Sequence, residues 1–188
     1  MYKYLKRILD IICSFIFIML VLPFLLLIPF FVFLYDKKNP IFKQKRIGKE
    51  GVEFDFYKFR SMSIDTPDVE STDKTKLKIT PIGKLIRKTN LDEIPQVFNI
   101  LKGDMSWIGP RPPIVFQKKL IKLRKENKSL NLKPGLTGWA QVNSYDNMSE
   151  EIKAKYDGEY AEKISLYFDA LIMIKTFGYF FFKKNPTY

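Results

Sequence analysis

Apolar side chains fill almost every position across 11–35, and Ser14 is the only clearly polar one. A helix of that length, rising about 1.5 Å per residue, reaches across a bilayer. A secretory leader would have a shorter apolar core and small residues at a cleavage site. Here Tyr35 runs into Asp36-Lys37-Lys38, so the pattern predicts a retained membrane segment. Pro23 and Pro29 interrupt it; in a helix they free the carbonyls of Met19 and Leu25. Two geometries follow. A helix broken near its midpoint can dip into one leaflet and return, if its freed carbonyls find partners. A kinked span is the other, since proline is common in membrane helices. Ser14 lies too far along the chain to serve those carbonyls. Lys3, Lys6 and Arg7 precede the segment, and Lys37, Lys38, Lys43, Lys45 and Arg46 follow it. Basic flanks on both sides favour both ends on the cytoplasmic face.

Beyond the segment the period changes. Val52, Phe54 and Phe56 alternate with Glu53, Asp55 and Tyr57, which predicts a half-buried strand. Gly48-Lys49-Glu50-Gly51 is a hairpin turn, giving two strands within 41–62. The polar stretch 63–78, with Pro67, reads as a loop. Thr80-Pro81 supplies an N-cap and a first-turn proline for a helix buried through Ile82, Leu85 and Ile86, with Arg87 and Lys88 at its end. The next helix starts around Asp92-Glu93-Ile94-Pro95, buries Ile94, Val97, Phe98 and Leu101, and stops at Gly103. Prolines 110, 112 and 113 stiffen the backbone around Arg111. A cationic helix with Val115, Leu120, Ile121 and Leu123 follows, within 114–128. Pro134-Gly135 marks a turn, and 136–142 carries Trp139. Ser149 caps a helix to about Tyr160, containing Asp157 and broken or loosened at Gly158. The run 165–182 is apolar on most sides and aromatic towards its end, before Lys183-Lys184. It reads either as an interfacial helix or as a core helix, and Asp169 within it needs a cationic or metal partner.

Composition narrows the chemistry. Thirty-two lysines and arginines stand against 20 acids, a formal charge of +12 over 188 residues. That surplus suits polyanions: nucleic acid, anionic lipid or phosphorylated substrates. The chain has no histidine, which removes His triads, His bases and His metal ligands. Cys13 is the single cysteine, so no internal disulfide or zinc site is available. Carboxylate, Lys, Arg, Tyr and a hard cation remain. Asp92 and Glu93, at a helix start beside Arg87 and Lys88, would be held ionised by dipole and charge. Such carboxylates serve as a nucleophile or a metal ligand, or only complement the dipole. Arg46, Lys58 and Arg60, at the strand ends, either keep an edge strand soluble or line a phosphate groove. Arg111, held between prolines, either loses little entropy in gripping a phosphate or is a solvated side chain on a proline-rich loop.

Several ordered motifs resemble the bacterial sugar transferase family, the small monotopic phosphoglycosyl transferases. They are Gln44-Lys45-Arg46-Ile47-Gly48, Tyr57-Lys58-Phe59-Arg60-Ser61-Met62, Leu91-Asp92-Glu93-Ile94-Pro95-Gln96, Leu101-Lys102-Gly103-Asp104-Met105-Ser106, Gly109-Pro110-Arg111-Pro112 and Lys133-Pro134-Gly135-Leu136-Thr137-Gly138-Trp139-Ala140-Gln141-Val142. Asp157 and the stretch 165–169 match the family's last segment. The resemblance implies an α+β monotopic membrane protein with a re-entrant or kinked spanning helix, a short β-hairpin and several interfacial and globular helices. It would form a single catalytic domain over 1–188, with 1–36 as anchor and 37–188 as the catalytic part on the cytoplasmic face of the bacterial inner membrane. It implies transfer of a sugar 1-phosphate from a UDP-sugar to undecaprenyl phosphate, with UMP released, as the first membrane step of a surface glycan. Asp92 would match the nucleophile and Glu93 a Mg2+ ligand. Arg111, Arg87 and Asp169 would match substrate, metal or dyad support, with Arg46, Lys58 and Arg60 as further substrate contacts. Partners would be UDP-sugar, undecaprenyl phosphate and membrane lipids, with no nucleic acid; a membrane-anchored basic nucleic-acid binder is the alternative. Two positions depart from the family pattern: Leu22-Pro23 stands where Ser-Pro is common, and Ser144-Tyr145 where Gly-Arg is common. With no further membrane helices in sequence, the chain resembles the minimal catalytic form.

Overall fold

In a computed structural model the structure describes residues 2–62, 79–143 and 148–182, with the side chains of 36 and 179–182 set aside. The expected loop at 63–78, Ser144-Tyr145, Lys183-Lys184 and the last aromatics of 165–182 fall outside the described residues and side chains.

The N-terminal segment is one α-helix, α1 (Tyr2–Asp36), long and apolar enough to cross a membrane. Pro23 and Pro29 lie inside it. Of the two expected geometries the broken helix is not seen: helical backbone continues through both prolines. Most of α1's surface is exposed and apolar, but one stripe is not. Asp10, Ser14, Ile28 and Val32 are buried, and Phe17, Val21 and Leu25 pack on the core between them. The spacing of three and four residues is that of a single helix face. The N-terminal half of the stripe is polar. Arg7 donates to the carbonyls of Ile100 and Leu101 (2.6 and 2.7 Å), Ser106 and the Trp107 amide donate to Asp10 (3.0 and 3.1 Å), and the Trp107 indole donates to Ser14 (3.1 Å).

The hairpin forms as expected: β1 (Ile41–Ile47) pairs antiparallel with β2 (Glu53–Phe59) around a 3₁₀ turn in which Glu50 and Gly51 take positive φ. Phe54 and Phe56 are buried against Ile100 and Met105. Phe59, on the opposite side, joins Ile28, Val32, Ile86 and Ile94. Val52 lies before the strand and is exposed, not part of its buried face.

Thr80 caps α2 (Pro81–Lys88) by accepting from the Gly83 amide at 2.9 Å. Ile86 is buried, but Leu85 is exposed. After α3 (Gln96–Lys102), a short parallel pair forms from β3 (Ser106–Ile108) and β4 (Gly135–Thr137), between which lies α4 (Lys118–Glu126). Side chains at Gly109 or Gly135 would collide with the facing backbone, so glycine permits this close pairing. Neither strand is announced in the sequence, because three residues carry no period. α5 (Trp139–Val142), α6 (Glu150–Lys163) and α7 (Leu166–Phe182) complete the body. α6 runs unbroken through Gly158, against expectation; that glycine is buried beside Asn127. Ile108, Tyr160, Phe168 and Ile172 make the third apolar cluster.

Candidate active site

The acidic pair does not open an α-helix. Asn90 adopts a left-handed conformation, φ 55°, and starts a 3₁₀ turn over Leu91–Glu93. Asparagine tolerates that conformation better than most residues. Pro95 then occupies the N-cap of α3, where its missing amide hydrogen costs nothing. Within α3 the buried residues are Gln96, Val97, Asn99 and Ile100, while Phe98 is exposed and Leu101 half-buried. The apolar stripe is therefore rotated from the one expected. Gly103 ends the helix at φ 95°, as expected. Leu91 and Ile94 pack into the core shared with α1, so the turn is fixed by apolar contacts on both sides of Asp92 and Glu93.

Two cations meet one oxygen of that pair. Lys58, from β2, donates to Glu93 Oε1 at 2.7 Å, and Arg111 donates to the same atom at 2.8 Å. The Lys58 ammonium also lies 3.6 Å from Asp92 Oδ2. Asp92 is 7% exposed. The Phe56 ring has two cations near it, Arg46 at 5.2 Å and Lys58 at 5.6 Å from its centroid. Arg46 also donates to Gln44 (2.8 and 3.1 Å) and to the Pro112 carbonyl (3.1 Å). The structure thus brings together Asp92, Glu93, Lys58 and Arg111, with Arg46 behind them.

The remaining candidates take separate places. Arg87 sits in the last turn of α2, and its charge acts on Asp92. Arg60 donates to the Asn39 carbonyl at 2.8 Å and lies 6.0 Å from the Phe42 ring centroid. Asp169 accepts from Tyr2, from Lys6 at 2.5 Å and from Tyr160 at 2.6 Å. It has the cationic partner it needs, but these contacts tie the start of α1 to α6 and α7 rather than reaching the acidic pair.

The carboxylates differ electrostatically. Burial pushes Asp92 above its ordinary range, opposed by Lys58, reinforced by Glu93, and opposed again by Arg87 and Arg111. Burial also pushes Glu93 upward, but Arg111 and Lys58 outweigh it and hold Glu93 well below the usual carboxylate range. The downward shift expected of both is met at Glu93, whereas at Asp92 the shift runs upward. There the loss of water outweighs cations that bond chiefly to its neighbour.

Magnesium is the cofactor the family resemblance implies. Among the described residues no group of three or more acidic side chains converges. Both cations occupy Glu93 Oε1, and neither Glu93 Oε2 nor Asp92 Oδ1 takes a hydrogen bond from a described residue. Mg2+ commonly uses one or two protein carboxylates and completes its shell with water and substrate phosphate. Glu93, with Asp92 beside it, would supply the carboxylates to hold such an ion.

One polar pair escaped the sequence. Arg124 and Asp157 are each 1% exposed; the Arg124 Nε donates to one Asp157 carboxylate oxygen at 2.8 Å, and an Nη lies 2.6 Å from the same oxygen as an ion pair without hydrogen-bond geometry. The other Nη of Arg124 donates to the Arg111 carbonyl at 2.8 Å. The available signal was phase: Arg124 lies four residues after Leu120, on the buried face of α4.

The bacterial sugar transferase family model matches residues 1–183. UDP-galactose-lipid carrier transferase of Erwinia amylovora is 36% identical over 194 residues, covering 94% of this chain and 40% of the relative. UDP-glucose:undecaprenyl-phosphate glucose-1-phosphate transferase of Escherichia coli (strain K12) is 35% identical over 183 residues, covering 93% and 39%. EpsL of Bacillus subtilis (strain 168), an uncharacterized sugar transferase, is 38% identical over 139 residues, covering 73% and 68%. The chain thus spans about two-fifths of the length of the first two, 40% and 39%.

Proposed function

The chain belongs to the bacterial sugar transferase family, and from that premise we propose that it is a phosphoglycosyl transferase. It moves a sugar 1-phosphate from a UDP-sugar to undecaprenyl phosphate, at the cytoplasmic face of a bacterial inner membrane, as the first membrane step of a surface glycan. The observation that carries this reading is the convergence of Lys58 and Arg111 on Glu93 beside a buried Asp92.

A carboxylate and a diphosphate repel, so attack needs local positive charge. Asp92 attacks the sugar-bearing phosphorus, forming a phosphosugar aspartyl ester as the bond to the UMP oxygen breaks. The lipid phosphate oxygen then attacks that phosphorus and returns the Asp92 carboxylate. Lys58 and Arg111 orient Glu93 and offset charge on the phosphates during both displacements. Magnesium held by Glu93, with Asp92 adjacent, would neutralise the diphosphate and the leaving UMP. The basic surface draws the nucleotide in from the cytosol, and α1 confines the site to the interface where the lipid phosphate resides.

The test is incubation of the full chain with a panel of UDP-sugars, magnesium and undecaprenyl phosphate, reading UMP. Wild type is expected to release UMP with one or more donors, and Asp92→Asn to release none while remaining folded and membrane-bound. Undiminished UMP release by Asp92→Asn would refute the mechanism.

A further inference from the structure

We propose that Arg124, held by Asp157, is a positioning residue that fixes the backbone of Arg111 and thereby sets its guanidinium on Glu93. This rests on the phosphoglycosyl transferase reading above.

The segment Pro110-Arg111-Pro112-Pro113 has one amide hydrogen in four residues, because proline has none. It must be held chiefly through its carbonyls, and each of the four accepts a different bond. Pro110 accepts from the Gly135 amide at 2.9 Å, and Arg111 from Arg124 at 2.8 Å. Pro112 accepts from Arg46 at 3.1 Å, and Pro113 from the Ile47 amide at 3.0 Å. Gly135 belongs to β4, and Arg46 and Ile47 to β1, so both ends of the segment are fastened to strands. Arg124 fastens the backbone of the residue that carries the guanidinium.

Arg124 is built for that task. Its Nε donates to Asp157 Oδ2 and the same carboxylate pairs with its charge, which holds the guanidinium in one orientation. The other Nη then has one direction, toward the Arg111 carbonyl. Stability is a poor reason to keep such a pair: a buried ion pair replaced by apolar residues of similar volume is often neutral or stabilising. What an apolar pair cannot do is donate to that carbonyl. Displacement of a catalytic contact by about 1 Å can cost on the order of 100-fold in rate.

The test compares wild type, Arg124→Met/Asp157→Leu and Arg124→Lys in detergent or nanodiscs. The double variant leaves no orphaned charge and keeps volume, so its Tm should stay near that of wild type. Its kcat for UMP release should fall about 10- to 100-fold. The same double change in an Arg111→Ala background should cost less than about twofold, because the positioned group is already gone. Arg124→Lys preserves the charge opposite Asp157 but lacks the fork, so it should keep the fold and show a partial kcat loss. It also carries the test if the double variant does not fold. Hydrogen exchange of peptides covering 109–116 reads the clamp without turnover; it should rise about tenfold in the variants while 148–163 stays protected. Wild-type kcat in a folded variant overturns the proposal, as does an equal loss with and without Arg111. So does unchanged exchange at 109–116. Absence of UMP release from wild type with every donor would instead refute the function, and the exchange result would still decide the clamp.

Discussion

At the scale of the residue, the two adjacent acids have opposite effects on folding. Glu93 titrates below its ordinary range, so its ionised form stabilises the fold above that range, and this contribution is lost as pH falls toward the depressed value. Asp92 titrates above its ordinary range, so its ionised form opposes folding at neutral pH, and the fold gains as pH falls through the raised value. Asp92→Asn should therefore raise stability at pH 7 while turnover stops, the trade expected where activity requires a destabilised group. Thermal unfolding of both proteins at pH 7 checks this; a lower Tm in Asp92→Asn would contradict the burial argument. Lys58 is the largest influence opposing that burial. Lys58→Met should shift the acid limb of the UMP-release profile to higher pH and lower kcat on the order of 100-fold. A profile that only scales down, with its acid limb unmoved, would separate Lys58 from Asp92.

At the scale of the element, what the sequence revealed was local and what it hid was not. The Thr80-Pro81 start, the 41–59 hairpin and the Gly103 stop follow from capping, alternation and handedness within a few residues. The acids, their cations and the Pro-Arg-Pro-Pro segment were legible as motifs. Their meeting at one Glu93 oxygen depends on β2, the 3₁₀ turn and the 109–113 segment coming together, and no local rule supplies that. Leu85 and Phe98 were misassigned for a different reason. In a protein whose surface includes a large apolar area, an apolar position no longer implies an inward one. Asp169 needed a partner, but only the fold shows that the partners are Tyr2, Lys6 and Tyr160. The handedness argument makes its own prediction. At φ 95° Gly103 tolerates no Cβ without strain, and a Cβ there would also sit 3.3 Å from the Lys133 ammonium. Gly103→Ala should cost about 1–2 kcal/mol, read as a lower urea midpoint with an unchanged m-value; an unaltered midpoint would mean that α3 ends differently in solution.

At the scale of the whole molecule, the buried stripe of α1 bears on how the chain meets the bilayer. Asp10 to Val32 covers roughly 33 Å of helix at about 1.5 Å per residue, close to the roughly 30 Å thickness of a hydrocarbon core. The body packs along that whole length, through Trp107 near the start and Ile86 and Ile94 near the end. Were α1 to span the membrane, the polar groups that border this contact would be carried into lipid, at several kcal/mol for each unsatisfied one. An orientation in which α1 turns its exposed apolar side to lipid from one face, with its buried stripe and the body outside, avoids that cost. It also agrees with basic residues on both flanks, Lys3 and Lys6 before and Lys37 and Lys38 after. The expected outcome is that single cysteines at Lys3 and Lys38, in a Cys13→Ser background, react with an impermeant maleimide from the same side of sealed inverted vesicles. Labelling from opposite sides would establish a span and would require the stripe to release the body on insertion. The polar half of the stripe offers an independent check. Asp10→Ala leaves the Ser106 hydroxyl and the Trp107 amide without their acceptor and should cost about 1–3 kcal/mol. If α1 detached from the body on insertion, those donors would already be solvated, and the substitution would leave the Tm of the membrane-bound protein unchanged.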